Sequence, residues 1–161
     1  MSLGTCRWHE PGGLAAAETI AAFLEDAGIA LKVEPLTGPS FVPGLAIDRG
    51  TIQIEPGGAA HPGDLLHEAG HIAVAEPERR AALSDVGTDA GEEMAAIAWS
   101  VAAARACGIG LEVLFHPAGY KGESDWLRGV FEQGQPFGVP LLGWYGLTSA
   151  ADFPKMTRWL R

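Results

Sequence analysis

Cysteine is scarce in this sequence, and long apolar runs are missing. The chain of 161 residues has two cysteines, Cys6 and Cys107, which form no CxxC pair. We therefore expect neither a disulfide framework nor a cysteine-ligated zinc site. We also expect no transmembrane helix, and the first residues lack the apolar core of a signal peptide. These absences favour a cytoplasmic protein.

Basic residues are also few. Eleven Lys and Arg stand against 20 Asp and Glu, which gives a formal net charge of -9 at pH 7. We therefore expect no nucleic-acid partner and no binding to an anionic membrane surface. Apolar residues make up 47% of the chain, which is ordinary for a globular protein. The length suits one domain, residues 1–161, with its own core.

The apolar spacing predicts an α+β fold. Residues 14–28 have helical spacing, residues 31–36 alternate as in a strand, and two apolar segments flank Arg49-Gly50 as in a tight hairpin. We therefore predict a short, mostly antiparallel sheet. Further predictions are helices over residues 62–76, 92–107, 123–133 and 151–161, and an extended segment over 109–115. The core is expected within residues 14–107, followed by an irregular C-terminal extension over 108–161.

The most informative stretch is His67-Glu68-Ala69-Gly70-His71, an HExxH motif. On a helix, residues four apart lie on the same face, so both imidazoles can reach one metal ion. Zinc is the usual occupant of such a site, and the glutamate is then the general base for a water molecule. The motif therefore predicts Zn²⁺ held by His67 and His71, with Glu68 as the catalytic base. Three polar residues on a surface helix are the alternative reading.

A catalytic zinc site normally has a third protein ligand. The candidates downstream of His71 are Asp89, Glu92, Glu93 and His116. Carboxylates suit the first turn of the helix predicted from residue 92, because they complement its dipole. At about 100° per residue, Glu93 borders an apolar arc of that helix, and Glu92 falls nearly opposite. Glu93 is therefore favoured as the third ligand, with Glu92 as the alternative.

The mechanism also needs a donor for the oxyanion. His116 and Tyr120, on a loop rich in Gly and Pro, are the candidates, with Tyr145 behind them. Packing of an aromatic ring or a surface position for the histidine is the competing explanation. Trp126, Trp144 and Trp159 are expected in the core rather than in a substrate site. His61, just before the motif helix, is expected at the surface or beside the ligands.

The order of helix, strand, hairpin, HExxH helix and following glutamate resembles the gluzincin metallopeptidases. It is similar in layout to the minimal gluzincins of the ImmA/IrrE type, over roughly residues 14–105. The resemblance implies a zincin-like fold, zinc held by His67, His71 and Glu93, and hydrolysis of a peptide or protein substrate with Glu68 as base. No metzincin continuation follows His71. A zinc-binding regulatory module without activity, or a zinc amidohydrolase acting on other amides, are the alternatives.

Overall fold

The computed structural model describes residues 2–84 and 89–161, and residues 85–88 of the predicted connection lie outside this description. The elements form a single α+β domain in which the strands and one helix come first and the remaining helices follow. The strands are β1 (Arg7–Trp8), β2 (Leu31–Val33), β3 (Leu45–Asp48), β4 (Thr51–Ile54) and β5 (Ala59–Ala60). The described helices are α1 (Gly13–Asp26), α2 (Pro62–Val74), α3 (Pro77–Arg80), α4 (Ala90–Cys107), α5 (Leu111–Leu114), α6 (Ser124–Glu132) and α7 (Val139–Trp144).

The strands form two small sheets. In the three-stranded sheet, β4 lies in the centre, parallel to β2 and antiparallel to β3. In the other sheet, β1 and β5 pair in parallel. The expected mostly antiparallel sheet is therefore mixed, because β2 pairs with β4 rather than with β3, which follows it in the chain.

The hairpin between β3 and β4 turns where the sequence predicts. Arg49 and Gly50 have φ angles of 47° and 75°, as the two central residues of a type I′ turn require. A side chain at Gly50 would also collide with the carbonyl oxygen of Arg80, 2.5 Å from an added Cβ. The turn therefore fixes the register of the hairpin and places it against the end of α3.

The core lies between the three-stranded sheet and helices α1, α2 and α4. Helix α2 contacts α1, α4 and both strands of the hairpin. Its apolar residues Leu65, Leu66, Ile72 and Val74 are fully buried. Helix α4 is enclosed on every side, since each residue from Ala95 to Ala104 is buried. The two helices that carry the predicted site residues are thus the two most deeply packed helices.

Two arginines bind the C-terminal end of α2. The guanidinium of Arg80 donates to the carbonyl oxygen of Ile72, and that of Arg161 donates to the carbonyl oxygen of Val74. The last carbonyl groups of a helix lack partners within the helix and carry partial negative charge, so cations there are stabilising. The orientation of the motif helix is therefore fixed at this end by side chains from two other segments.

The segment after α4 differs from its predictions. Residues 109–115 contain helix α5 rather than an extended segment, because the chain turns at Gly108, which is left-handed at φ 73°, and a new helix starts after Gly110. Residues 151–161 form turns and bends rather than a helix. None of the helices in the described ranges is long and apolar enough to cross a membrane.

Candidate metal centre

His67 and His71 occupy one face of α2. The helix begins after His61, with Pro62 in its first turn, and His67 and His71 follow one turn apart. Their ring centroids lie 4.9 Å apart, with the ring planes nearly perpendicular. The local helical geometry that the motif predicts is therefore present.

Glu93 extends from the first turn of α4 to both histidines. Its Oε1 lies 3.2 Å from Nε2 of His67, and its Oε2 lies 2.9 Å from Nε2 of His71. Asp89 caps this helix, because its carboxylate accepts a hydrogen bond from the backbone N–H of Glu92. Asp89 thus holds the turn that carries Glu93.

The three side chains form a group that could hold a metal ion. Among the described residues, one potential ligand atom from each of His67, His71 and Glu93 lies within 4.8 Å of the others. Ligand atoms about 2.0 to 2.1 Å from a tetrahedral zinc ion would be about 3.3 Å apart, close to the two Nε2–carboxylate distances. Two imidazoles and one carboxylate are also the donor set of many catalytic zinc sites.

The helical periodicity placed Glu92 on the far side of α4 from the histidines, and this prediction was wrong. Its Oε1 lies 4.0 Å from Nδ1 of His71, so Glu92 and Glu93 approach opposite nitrogens of the same ring. Helix α4 is buried on all sides, so its apolar arc does not mark one packed face. This separation is longer than a hydrogen bond, and Nδ1 of His71 has no hydrogen-bond partner in the described chain, so Glu92 acts on the ring through its charge.

The charges of the group are strongly coupled. Burial lowers the pKa of His71, but the carboxylates of Glu92 and Glu93 outweigh this and raise the pKa to about 9. Burial raises the pKa of Glu93, yet its hydrogen bonds to the two histidines hold that pKa well below its usual range. Without a metal ion, protonated His71 and ionised Glu93 therefore stabilise each other as an ion pair.

Glu68 lies beside this group and is only 3% exposed. Burial raises the pKa of its carboxyl, and the charges of His67 and His71 partly oppose that rise. A carboxylate with a raised pKa is a better proton acceptor near neutral pH. Its environment therefore suits the general base that the motif predicts.

Tyr120 approaches the group from the loop before α6. Its ring packs edge-on against His67, with the centroids 5.1 Å apart. Its hydroxyl is buried although the residue as a whole is half-buried, and it has no partner at hydrogen-bond geometry within the described chain, although the side chain of Ser100 is near enough to lower its pKa. Burial and the charges of Asp64 and Glu93 raise the pKa of this hydroxyl well above its usual value, so it remains a donor.

The other candidates are placed differently. His116 pairs with Asp64 on the first turn of α2, and its ring stacks on His61 with the centroids 3.7 Å apart. Tyr145 lies under the guanidinium of Arg161, near the C-terminal end of α2. The catalytic assignment of Tyr120 and His116 stays a prediction.

Two tryptophans expected in the core are exposed. Trp126 is 57% exposed and Trp144 is 84% exposed, whereas Trp159 is half-buried against Phe23 and Trp99. Both exposed indoles lie on short helices, α6 and α7, whose opposite faces are packed.

Asp64 is the site neighbour that sequence reasoning missed. Asp64 lies one helical turn before Glu68 on α2, and this spacing could have indicated that both side chains are on the same face.

Comparison with known proteins adds no relative. No protein-family model, no curated protein and no solved structure matches this chain.

Proposed function

We propose that this protein is a zinc-dependent metallopeptidase with a gluzincin-like site. The observation that carries the proposal is that Nε2 of His67 and Nε2 of His71 face the same carboxylate, Glu93, while the buried Glu68 lies beside them. His67, His71 and Glu93 would hold the ion. When bound, Zn²⁺ would supply a water of pKa about 7 and would polarise a carbonyl group.

The chain's own residues supply the proton transfers. Glu68 accepts a proton from the attacking water and delivers it to the amine that leaves when the peptide bond breaks. The Tyr120 hydroxyl, which is buried and has no partner in the described chain, donates to the oxyanion of the substrate. His116 takes no step in this mechanism, because Nε2 is occupied by Asp64 and one ring face by His61.

The proposed substrate is a peptide or protein, and the proposed compartment is the cytoplasm. Both described cysteines are free, which agrees with a reducing compartment. The excess of acidic residues disfavours nucleic acid and anionic membranes as partners.

The test is zinc content together with cleavage of a quenched-peptide mixture, for the wild type and for Glu68→Gln. We expect about one zinc per chain in both proteins and loss of at least about 100-fold in turnover in the variant, since general-base catalysis is worth that much. Glu18→Gln, an exposed change on α1, is the matched control and should leave both measurements unchanged.

The other outcomes separate the alternatives. Zinc without cleavage in either protein would support a metal-binding module, and cleavage of non-peptide amides alone would support an amidohydrolase. Wild-type protein purified without chelator that binds no stoichiometric metal would overturn the proposal.

A further inference from the structure

A buried ion pair ties the motif helix to the loop that carries Tyr120. Nε2 of His116 lies 2.7 Å from Oδ1 of Asp64, and both side chains are almost completely enclosed. Burying two ionisable groups is costly, and replacement by apolar residues is often neutral or stabilising. The position of this pair, rather than its contribution to stability, therefore indicates its role.

The two ends of the pair lie next to site residues. Asp64 comes three residues before His67 on α2, and His116 comes four residues before Tyr120. The contact therefore fixes the distance between the segment that carries Tyr120 and the helix that carries the histidines.

The loop between His116 and α6 packs around the His116 side chain. The hydroxyl of Ser124 donates to the carbonyl oxygen of His116 at 2.6 Å, and the carbonyl oxygen of Gly119 lies 3.2 Å from the same hydroxyl oxygen. Gly119 lies directly against the imidazole of His116, where an added Cβ would be 3.1 Å from Nε2. The loop thus folds over the ring of His116, and movement of that ring would disturb the backbone just before Tyr120.

Tyr120 needs such support. Tyr120 and Lys121 have φ angles of 56° and 54°, a left-handed conformation that costs a non-glycine residue about 1 kcal/mol or more. The conformation directs the ring of Tyr120 between Phe115 and His67, each with its centroid 5.1 Å away. A strained backbone persists only when its surroundings hold it.

We propose that Asp64 and His116 are a positioning pair that holds the Tyr120 hydroxyl beside the HExxH residues. The pair does not contact substrate, since Nε2 of His116 is bound to Asp64 and Nδ1 is buried without a partner in the described chain. The expected effect of the pair on turnover rests on the proposed function, whereas its effect on the position of Tyr120 is independent of that function.

The structural test uses the fact that the chain has only two tyrosines. In Tyr145→Phe protein labelled with ring-¹³C tyrosine, every tyrosine signal comes from Tyr120, and its nuclear Overhauser contacts to the rings of His67 and Phe115 can be measured without metal. His116→Phe keeps a flat ring against His61 but removes the donor to Asp64. His116→Gln keeps an N–H within reach of Asp64. Asp125→Asn, an exposed change on α6, is the control.

We expect the Tyr120–His67 contact to fall several-fold in His116→Phe and to persist in His116→Gln and the control. The indole N–H signal of Trp99, which donates to the carbonyl of Trp159, monitors the fold. If His116→Phe does not fold, Asp64→Ala removes the other partner and should give the same loss. Unchanged contacts in whichever of these two variants is folded would overturn the proposal.

The catalytic arm is a double-mutant cycle. Removing one oxyanion donor costs about 100-fold in turnover, so Tyr120→Phe should lose about that factor. His116→Phe should lose a similar factor with KM little changed, and the double variant should lose no more than either alone. Additive losses would contradict action through Tyr120. Absence of cleavage in the wild type would overturn the proposed function and leave the nuclear Overhauser result to decide the positioning.

Discussion

At the scale of single residues, the site consists of groups whose protonation depends on one another. His71 faces a carboxylate on each side, Glu92 near Nδ1 and Glu93 at Nε2. The two glutamates are neighbours in sequence, yet they meet different atoms of the same ring. Their roles should therefore be separable by substitution.

Glu93→Gln and Glu92→Gln should differ in zinc affinity. Loss of an outer partner of a ligating histidine costs about 10- to 100-fold in metal affinity. We expect Glu92→Gln to lose no more than that factor, because Oε1 of Glu92 lies 4.0 Å from Nδ1 of His71 without a hydrogen bond, and Glu93→Gln, which removes a charged carboxylate at Nε2, to lose more. Competition with a fluorescent zinc chelator measures both. The reverse order would identify Glu92 as the ligand.

The motif residues could be predicted from the sequence because their geometry is local. His67 and His71 lie together through helical spacing alone, and a carboxylate in the first turn of α4 could be expected there, although the periodicity that separated Glu93 from Glu92 was misleading. The Asp64–His116 pair joins residues 52 positions apart, and no local pattern reports such a contact. The exposure of Trp144 could not be predicted for a related reason, since composition does not say which face of a short apolar helix is packed.

At the scale of secondary-structure elements, the site depends on the close approach of α2 and α4. Gly70, inside the HExxH motif, faces α4, and a Cβ there would lie 2.6 Å from the carbonyl oxygen of Ala96. The backbone of α4 occupies the space that a side chain would need. The two helices can therefore place His67 and Glu93 within reach of each other.

Gly70→Ala should destabilise the protein by about 1 to 3 kcal/mol, because the overpacked helices must separate. Without that contact, the same change would stabilise a helix by about 1 kcal/mol, so the sign is diagnostic. Gly38→Ala is the control, since a Cβ at Gly38 meets nothing within 4 Å. Urea unfolding followed by circular dichroism measures both variants. A Gly70→Ala protein as stable as the control would contradict the close approach.

The prediction of elements succeeded where periodicity or a turn type was strong. The β3–β4 hairpin follows from Arg49-Gly50, and α1, α2 and α4 lie close to their predicted ranges. The predictions for residues 109–115 and 151–161 were wrong, because short apolar segments near glycines and prolines are compatible with several conformations. The parallel pairing of β2 with β4 joins strands that β3 separates in the sequence, and no local pattern reports such a pairing.

At the scale of the whole molecule, a metal ion should stabilise the fold, and the gain should grow with pH. In the metal-free protein the pKa of His71 is raised to about 9, so its protonated form stabilises the fold below about pH 6.5, and this contribution is lost as the pH rises through about 9. Zinc needs the neutral ring and must displace that proton. Its affinity should therefore increase by up to about tenfold per pH unit until about pH 9.

Thermal unfolding with zinc and with a chelator tests this expectation. A free zinc concentration about 1,000 times the Kd would add about 4 kcal/mol. We expect the difference in melting temperature between the two conditions to be larger at about pH 8.5 than at about pH 6. A difference that is absent, or larger at the lower pH, would contradict the assignment of His71 as a ligand.

The position of the proposed ligands along the chain bears on the entropy of the unfolded protein. All five described strands precede α2, while α4 to α7 follow it, so His67 and His71 belong to the sheet-bearing half and Glu93 to the helical half. An ion bound by all three would act as a reversible cross-link between the halves, closing a loop that the unfolded chain leaves open. Cross-links of this kind reduce the entropy of the unfolded ensemble, as a disulfide does. A chain with two free cysteines would thereby gain a removable substitute for a disulfide bond.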